Sequence, residues 1–96
     1  MHLHLSDDAK TDLRGIQEYL EPRSKQGYAR VINAIFGMFD MLEDFPNLGR
    51  EGEIEGTREI TVSRTEYRIV YTLRDAYNID VERVLHAKLN YPNHAD

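Results

Sequence analysis

The sequence predicts an α+β fold: a short N-terminal strand, then an antiparallel helical hairpin packed on a C-terminal three-stranded antiparallel meander. Three observations carry the prediction. Two segments, over about 6–20 and 24–44, space their apolar residues as helices do; three runs in the last third alternate at the period of a strand; and a stretch rich in Gly and Glu separates the two patterns. With 96 residues, 41% hydrophobic and 30% charged, the chain makes one domain, 1–96, able to bury a core.

Met1–Leu5 alternates His and Leu and reads as a short edge strand. Ser6, followed by Asp7 and Asp8, suits a helix N-terminus, where orphan N–H groups and the macrodipole favour a side-chain oxygen and negative charge. Ala9, Leu13, Ile16 and Leu20 form one apolar stripe, and the helix is expected to stop at Glu21, because the residue before a proline avoids the α region. A second helix restarts near Ser24. Tyr28, Val31, Ile32, Ile35, Phe39 and Leu42 form its wide apolar face, and it runs to about Asp44, ahead of Pro46. Two helices joined by a short Pro-containing link make a hairpin, and their stripes need a sheet beneath them.

Asn47 to Gly56, with three glycines and three glutamates, reads as an exposed, mobile loop. Thr57–Val62, Tyr67–Tyr71 and Val81–Lys88 then follow as strands. On the first, Arg58, Ile60 and Val62 share a face. On the second, Tyr67, Ile69, Tyr71 and Leu73 oppose Arg68, Val70, Thr72 and Arg74. On the third, Ile79, Val81, Arg83 and Leu85 alternate with Asp80, Glu82, Val84 and His86. The links at 64–66 and 75–78 are short enough for hairpins, and Asn90–Asp96 reads as a polar tail. Each strand carries an arginine among apolar residues, so the sheet face away from the helices is expected to hold Arg58, Arg68 and Arg83 for an anionic or carbonyl-rich partner.

Charge narrows the partner class. Residues 1–56 carry six Lys/Arg against eleven Asp/Glu, and residues 57–96 carry six of each, giving a net charge of −5. Backbone binding of nucleic acid draws its affinity from counterion release at phosphates and needs a basic excess, so a protein partner is expected and direct nucleic-acid binding is not. The chain has no cysteine, which removes disulfides and cysteine-based metal sites and fits a reducing, cytoplasmic location. Met1–Asp8 lacks the basic and apolar regions of a signal peptide, and no apolar run reaches membrane-spanning length, so no membrane association is expected. His2 and His4 point the same way on a strand but have no third ligand at suitable spacing; no metal and no cofactor are expected.

These residues also carry a family pattern. Leu5-Ser6-x-x-Ala9-x-x-Asp12-Leu13-x-x-Ile16-x-x-Tyr19 resembles the opening helix of ParE-type toxins, and Phe45-Pro46-x-Leu48-Gly49-Arg50 resembles their loop after the second helix. Thr57-Arg58-Glu59, Tyr67-Arg68-Ile69-Val70-Tyr71 and Arg83-Val84-Leu85-His86-Ala87-Lys88 are similar to their C-terminal strands. The match runs from about residue 3 to residue 92, and its specificity lies in the order and spacing of the motifs. The resemblance to the ParE/RelE superfamily implies the toxin of a type II toxin–antitoxin pair, held inactive by a cognate ParD-like antitoxin that folds over it in a hetero-oligomeric complex. The ParE branch implies inhibition of DNA gyrase by protein–protein interaction without catalytic residues. The RelE branch implies a ribosome-dependent mRNA endoribonuclease.

Chemistry separates the branches. Metal-free RNA cleavage needs a base for the 2′-hydroxyl, cations for the phosphorane and an acid for the leaving oxygen. The candidates are Arg58 and Arg68 for phosphate, His86 or Glu59 as base, and Tyr91 or His86 as acid. The RelE branch implies lysines in the first two strands and a basic surface, whereas this chain has no lysine between Lys25 and Lys88. The gyrase-directed branch is therefore favoured, with Arg58, Arg68, Arg83, His86, Lys88 and Tyr91 as partner-binding residues. The plainer reading pairs Arg58, Arg68 and Arg83 with Glu59, Glu66, Asp80 and Glu82 across strands, leaves His86 as a half-buried imidazole and puts Tyr67 and Tyr71 in the core. Phe36, Met38, Phe39 and Met41 are expected to be mostly core, with a surplus apolar edge available to an antitoxin helix or strand.

Overall fold

The structure, a computed structural model, describes residues 1–92; the end of the tail predicted over Asn90–Asp96 lies outside the described residues. Its elements are β1 (His2–Leu5), α1 (Asp7–Leu20), α2 (Lys25–Asp44), β2 (Arg50–Glu51), β3 (Thr57–Thr61), β4 (Tyr67–Leu73) and β5 (Asn78–His86). The α+β class and both helices stand as expected. The sheet is larger than a three-stranded meander: five strands in the order β1-β5-β4-β3-β2, with β1 parallel to β5 and the other pairs antiparallel.

Both helices begin on a serine. Ser6 Oγ accepts from Ala9 N at 2.9 Å and donates to Glu82 O at 2.8 Å, so one hydroxyl caps α1 and ties it to β5. Ser24 Oγ accepts from Gly27 N at 2.9 Å. The stop of α1 at Leu20 has a different cause from the one expected. Glu21 keeps helical angles (φ −60°, ψ −43°) despite preceding Pro22, and the chain turns because Arg23 N and Ser24 N both donate to Leu20 O.

Ala9 and Ile16 of α1 and Val31, Ile35, Phe39 and Leu42 of α2 bury against Val62, Ile69, Tyr71, Ile79, Val81 and Val84 of the sheet. This core occupies the helix-side face. Burial of this set supplies the main driving force, at roughly 1.5–3 kcal/mol for each fully buried large aliphatic or aromatic side chain.

Three details depart from the sequence reading. First, Arg50–Glu51 pairs with β3 through Arg50↔Glu59 and Glu51↔Arg58, and Gly52 N donates to Thr57 O at 2.9 Å, so part of the Asn47–Gly56 stretch is sheet edge. Gly49 within it is buried. Second, a bulge shifts the β4–β5 register: Tyr71 opposes Val81 while its neighbour Val70 opposes Arg83. The extra residue, Glu82, reverses the alternation beyond it, so Val84 joins the core in place of Arg83. Third, the strand arginines do not gather on the outer face. Arg58 opposes Tyr71 and so lies on the helix side, Arg68 lies on the outer face, and Arg83 turns around the β5 edge toward α1.

Candidate functional site

Each strand arginine is held by a different structural task. The guanidinium of Arg58 donates to Gly49 O at 2.6 Å and Asn47 O at 3.4 Å, fixing the chain that leaves α2. Tyr71, buried beside it, completes that anchor: its hydroxyl accepts from Gly49 N at 2.8 Å and donates to Pro46 O at 2.7 Å. Burial pushes the Tyr71 phenol above its ordinary pKa, against smaller opposing effects from the Gly49 N–H and the Arg58 charge.

Arg68 works on the outer face. It donates from Nη1 to Ala87 O at 2.9 Å and from Nη2 to Leu89 O at 2.8 Å, clamping the segment that follows β5. Its Nε lies 3.4 Å from the carboxylate of buried Glu59, in ion-pair range without hydrogen-bond alignment. Glu59 also faces Arg50 at 3.7 Å, and Glu53 N donates to it at 3.4 Å. The Glu59 carboxylate thus has two cations for partners on a water-poor part of the sheet.

Arg83 joins the helices to the sheet. β1 pairs only with Asn78–Val81, so the outer edge of β5 is open from Glu82 onward. Helix α1 closes that edge. Asp12 accepts from Arg83 Nε at 2.8 Å and Nη2 at 2.9 Å in a bidentate pair, and from Val84 N at 2.9 Å. The same guanidinium lies 5.6 Å from the centroid of the Tyr91 ring, within cation–π range. The bond to Asp12 is the main cause of a raised Arg83 pKa, which keeps the group charged at any working pH.

His86 stands exposed at the end of β5. Lys88 N donates to its Nδ1 at 3.2 Å, which assigns the proton of the neutral ring to Nε2, and Nε2 faces the Glu66 carboxylate at 3.0 Å. The ring packs edge-on to Tyr67, with centroids 5.8 Å apart. Lys88 is exposed and Tyr91 half-buried.

The candidates of the nuclease chemistry are therefore spread out. Arg58 and His86 are opposite Tyr71 and Tyr67, four residues and roughly 13 Å apart along β4, on two different strands, while Arg68 projects from the other face. The partner candidates divide likewise: Arg68 clamps the segment after β5 that carries Lys88 and Tyr91, Arg83 faces the Tyr91 ring, His86 ends β5, and Arg58 lies on β3, across β4 from β5 and on the helix side. Of the expected acidic partners, only Glu59 of Arg68 is found: Arg58 binds backbone carbonyls and Arg83 binds Asp12, while Asp80 is taken by Arg74 at 2.9 Å. Asp12, the partner of Arg83, escaped the sequence reading. A signal existed: Asp12 stands at offsets of 3 and 4 from Ala9 and Ile16, a carboxylate placed on the buried stripe. His4 Nε2 meets Asn78 Oδ1 at 2.8 Å, and no group of three metal-ligating side chains forms among the described residues.

Comparison with known proteins places this geometry in context. Residues 3–91 match the family described as ParE toxin of type II toxin–antitoxin system, parDE. A Sinorhizobium fredii protein that carries the name "Putative toxin Y4kP" is 32% identical over 77 residues, spanning 80% of this chain and 78% of that one. Among solved structures, the chromosomal ParDE toxin–antitoxin system from P. aeruginosa superposes with a TM-score of 0.67 at 19% identity, covering 90% of this chain and 95% of the other. The toxin–antitoxin complex RelBE2 from Mycobacterium tuberculosis superposes with a TM-score of 0.58 at 27% identity, covering 88% and 95%.

Proposed function

Because the chain belongs to the ParE toxin family of type II toxin–antitoxin systems, we propose that it inhibits DNA gyrase by protein–protein contact and is neutralised by a ParD-like antitoxin. The observation that carries this reading is the separation of the nuclease candidates. Phosphoryl transfer from a 2′-hydroxyl needs base, acid and cation within hydrogen-bond reach of one phosphate. Here Arg58 is committed to the loop after α2, Arg68 to the C-terminal segment and Glu59 to two arginines. A net charge of −5 also opposes docking on ribosomal RNA.

Partner contact then falls to the end of β5 and the segment beyond it. His86, Lys88 and Tyr91 supply the contact groups, while Arg68 and Arg83 hold that segment in place. The structural likeness to one ParDE system and one RelBE2 complex supports an antitoxin as the resident partner. No helix among the described residues is long and apolar enough to cross a membrane, and we place the encounter with gyrase in the cytoplasm.

A DNA supercoiling assay with purified toxin and gyrase, run beside in vitro translation with mRNA mapping, tests the proposal. Lost supercoiling with trapped cleaved DNA and intact mRNA is the expected result. Undisturbed gyrase with cuts in ribosome-bound mRNA overturns it and transfers the question to Arg58, Arg68, His86 and Tyr91 as a catalytic set.

A further inference from the structure

We propose that the depression at the α1–α2 turn is a docking socket for an acidic peptide segment that presents one large apolar side chain. This goes beyond the toxin reading and holds whichever target the toxin acts on. The depression, about 580 Å³, lies between the end of α1, the first turns of α2, the β3–β4 turn and the last residue of β5. Leu20, Val31 and Tyr67 make its floor, continuous with the core. Tyr19, which is 57% exposed, forms one wall. That volume falls in the range of ligand sites, and an apolar floor beside an exposed aromatic is the kind of pocket in which an anchor side chain is desolvated.

Charge identifies the occupant. In a chain of net charge −5, this wall is basic: Arg30 and Arg64 line it, and Arg23 lies 3.9 Å from the Tyr19 ring centroid. Arg30 donates to Arg64 O at 2.8 Å and fixes the turn. Among the described residues the Arg64 guanidinium has no ion-pair partner. The one acid on the lining, Glu66, meets His86 Nε2 at 3.0 Å, and Arg30 and Arg64 against this single carboxylate leave the lining net basic. The basic wall is thus available to a carboxylate beside the anchor side chain.

The backbone gives a second, independent indication. Arg64 has φ 65°, the left-handed region, where an L-residue meets steric strain that glycine avoids. A turn of this shape is filled without strain by Gly or Asn. An arginine held there places a cation at the rim of the socket, and strain of this kind gathers at binding sites. A mononucleotide fits less well. The depression lies open to solvent along one side, whereas small-molecule sites enclose most of their ligand, and the Tyr67 and His86 rings on its lining meet edge-on at 74° rather than as a parallel stacking pair.

The test uses the purified full chain and a phage-displayed library of random dodecapeptides, counter-selected on the Arg30→Gln/Arg64→Gly double variant. The best enriched sequence is then made as a fluorescein-labelled peptide and titrated by anisotropy. The expected consensus is an aromatic or large aliphatic residue flanked by Asp or Glu. Arg64→Gly, which relieves the backbone and keeps the fold, is expected to weaken binding at least fivefold; an analogue of the peptide with Lys for each acid is expected not to bind. No enrichment over the double variant, a basic or uncharged consensus, or an affinity unmoved by Arg64→Gly would each overturn the proposal. AMP is titrated in parallel, and saturable binding of AMP that is lost in Arg64→Gly would assign the socket to nucleotides instead.

Discussion

Removing the Asp12 carboxylate is the most informative single perturbation of this fold. Asp12→Ala deletes two charge-assisted bonds to Arg83 and leaves Val84 N–H without its acceptor. Bonds to a charged group contribute about 1.5–3 kcal/mol, and an orphaned buried donor costs about 1–3 kcal/mol. The Arg83 side chain is 27% exposed and recovers part of its hydration, so the sum is set near 3 kcal/mol, at the low end for breaking a buried pair. In a domain of this size that corresponds to a fall in Tm of roughly 12–24 °C. Arg83→Ala should cost less, about 1–2 kcal/mol, because Asp12 still accepts from Val84 N. Thermal and urea unfolding followed by circular dichroism, completed as a double-mutant cycle, measures both terms. If Asp12→Ala loses under about 1 kcal/mol, or no more than Arg83→Ala, the Asp12 carboxylate does not close the β5 edge and another contact must hold α1 to the sheet.

Three further perturbations read other parts of the scaffold. Ser6→Ala removes the α1 cap and the bond to Glu82 O together, and equilibrium unfolding should show a loss of about 1–2 kcal/mol, above that of an ordinary exposed cap. Gly49→Ala would drive a Cβ to within 2.8 Å of the Tyr71 ring and 3.0 Å of Glu59 O, and near-UV circular dichroism should report a disturbed tyrosine with a loss of about 1–3 kcal/mol. Tyr71 has its folded pKa raised above an unfolded value of 10.0, so its contribution is fully present below about pH 10 and is lost as pH rises through the folded pKa. Urea unfolding between pH 8 and pH 11 should show stability declining above about pH 10, with a shallower decline in Tyr71→Phe; Tyr67, shifted the same way, keeps the slope from vanishing.

Local signals in the chain were strong wherever periodicity ran long. Ser6 and Ser24 mark both helix starts, and Val31, Ile35, Phe39 and Leu42 are buried as their spacing implies. Legibility failed where a single residue changes the phase. Glu82 has nothing in its identity that announces a bulge, yet it exchanges Val84 for Arg83 in the core. The Arg50–Glu51 ladder is two residues long, below any period that can be read, and depends on the turn at Gly52–Gly56 closing onto Thr57. For the candidate site, the residue types were legible and their partners were not. An arginine's long side chain reaches backbone carbonyls 9 to 21 residues away, as Arg58 and Arg68 do, and no spacing rule encodes such contacts.

The placement of the arginines also changes what the functional surface can be. Arginines on successive strands suggested one cationic face, but guanidiniums bonded within the chain give a rigid frame and leave little charge to offer. Arg58, Arg68 and Arg83 each spend their donors on the chain itself, and each holds a segment without regular structure or an open edge: the turn at 46–49, the residues 87–89, the rim of β5. Exposed and less committed groups lie elsewhere, at His86 and Lys88 and at the Arg30–Arg64 wall beside the β3–β4 turn. These lie on the same end of the sheet, since His86 opposes Tyr67 at the start of β4. A partner that covers this end would meet both, and substitutions of Arg58 would then act on stability alone. Arg64→Gly would lower affinity without lowering stability, because glycine relieves the turn at φ 65°, a separation that fold-stability and affinity measurements on the same two variants can resolve.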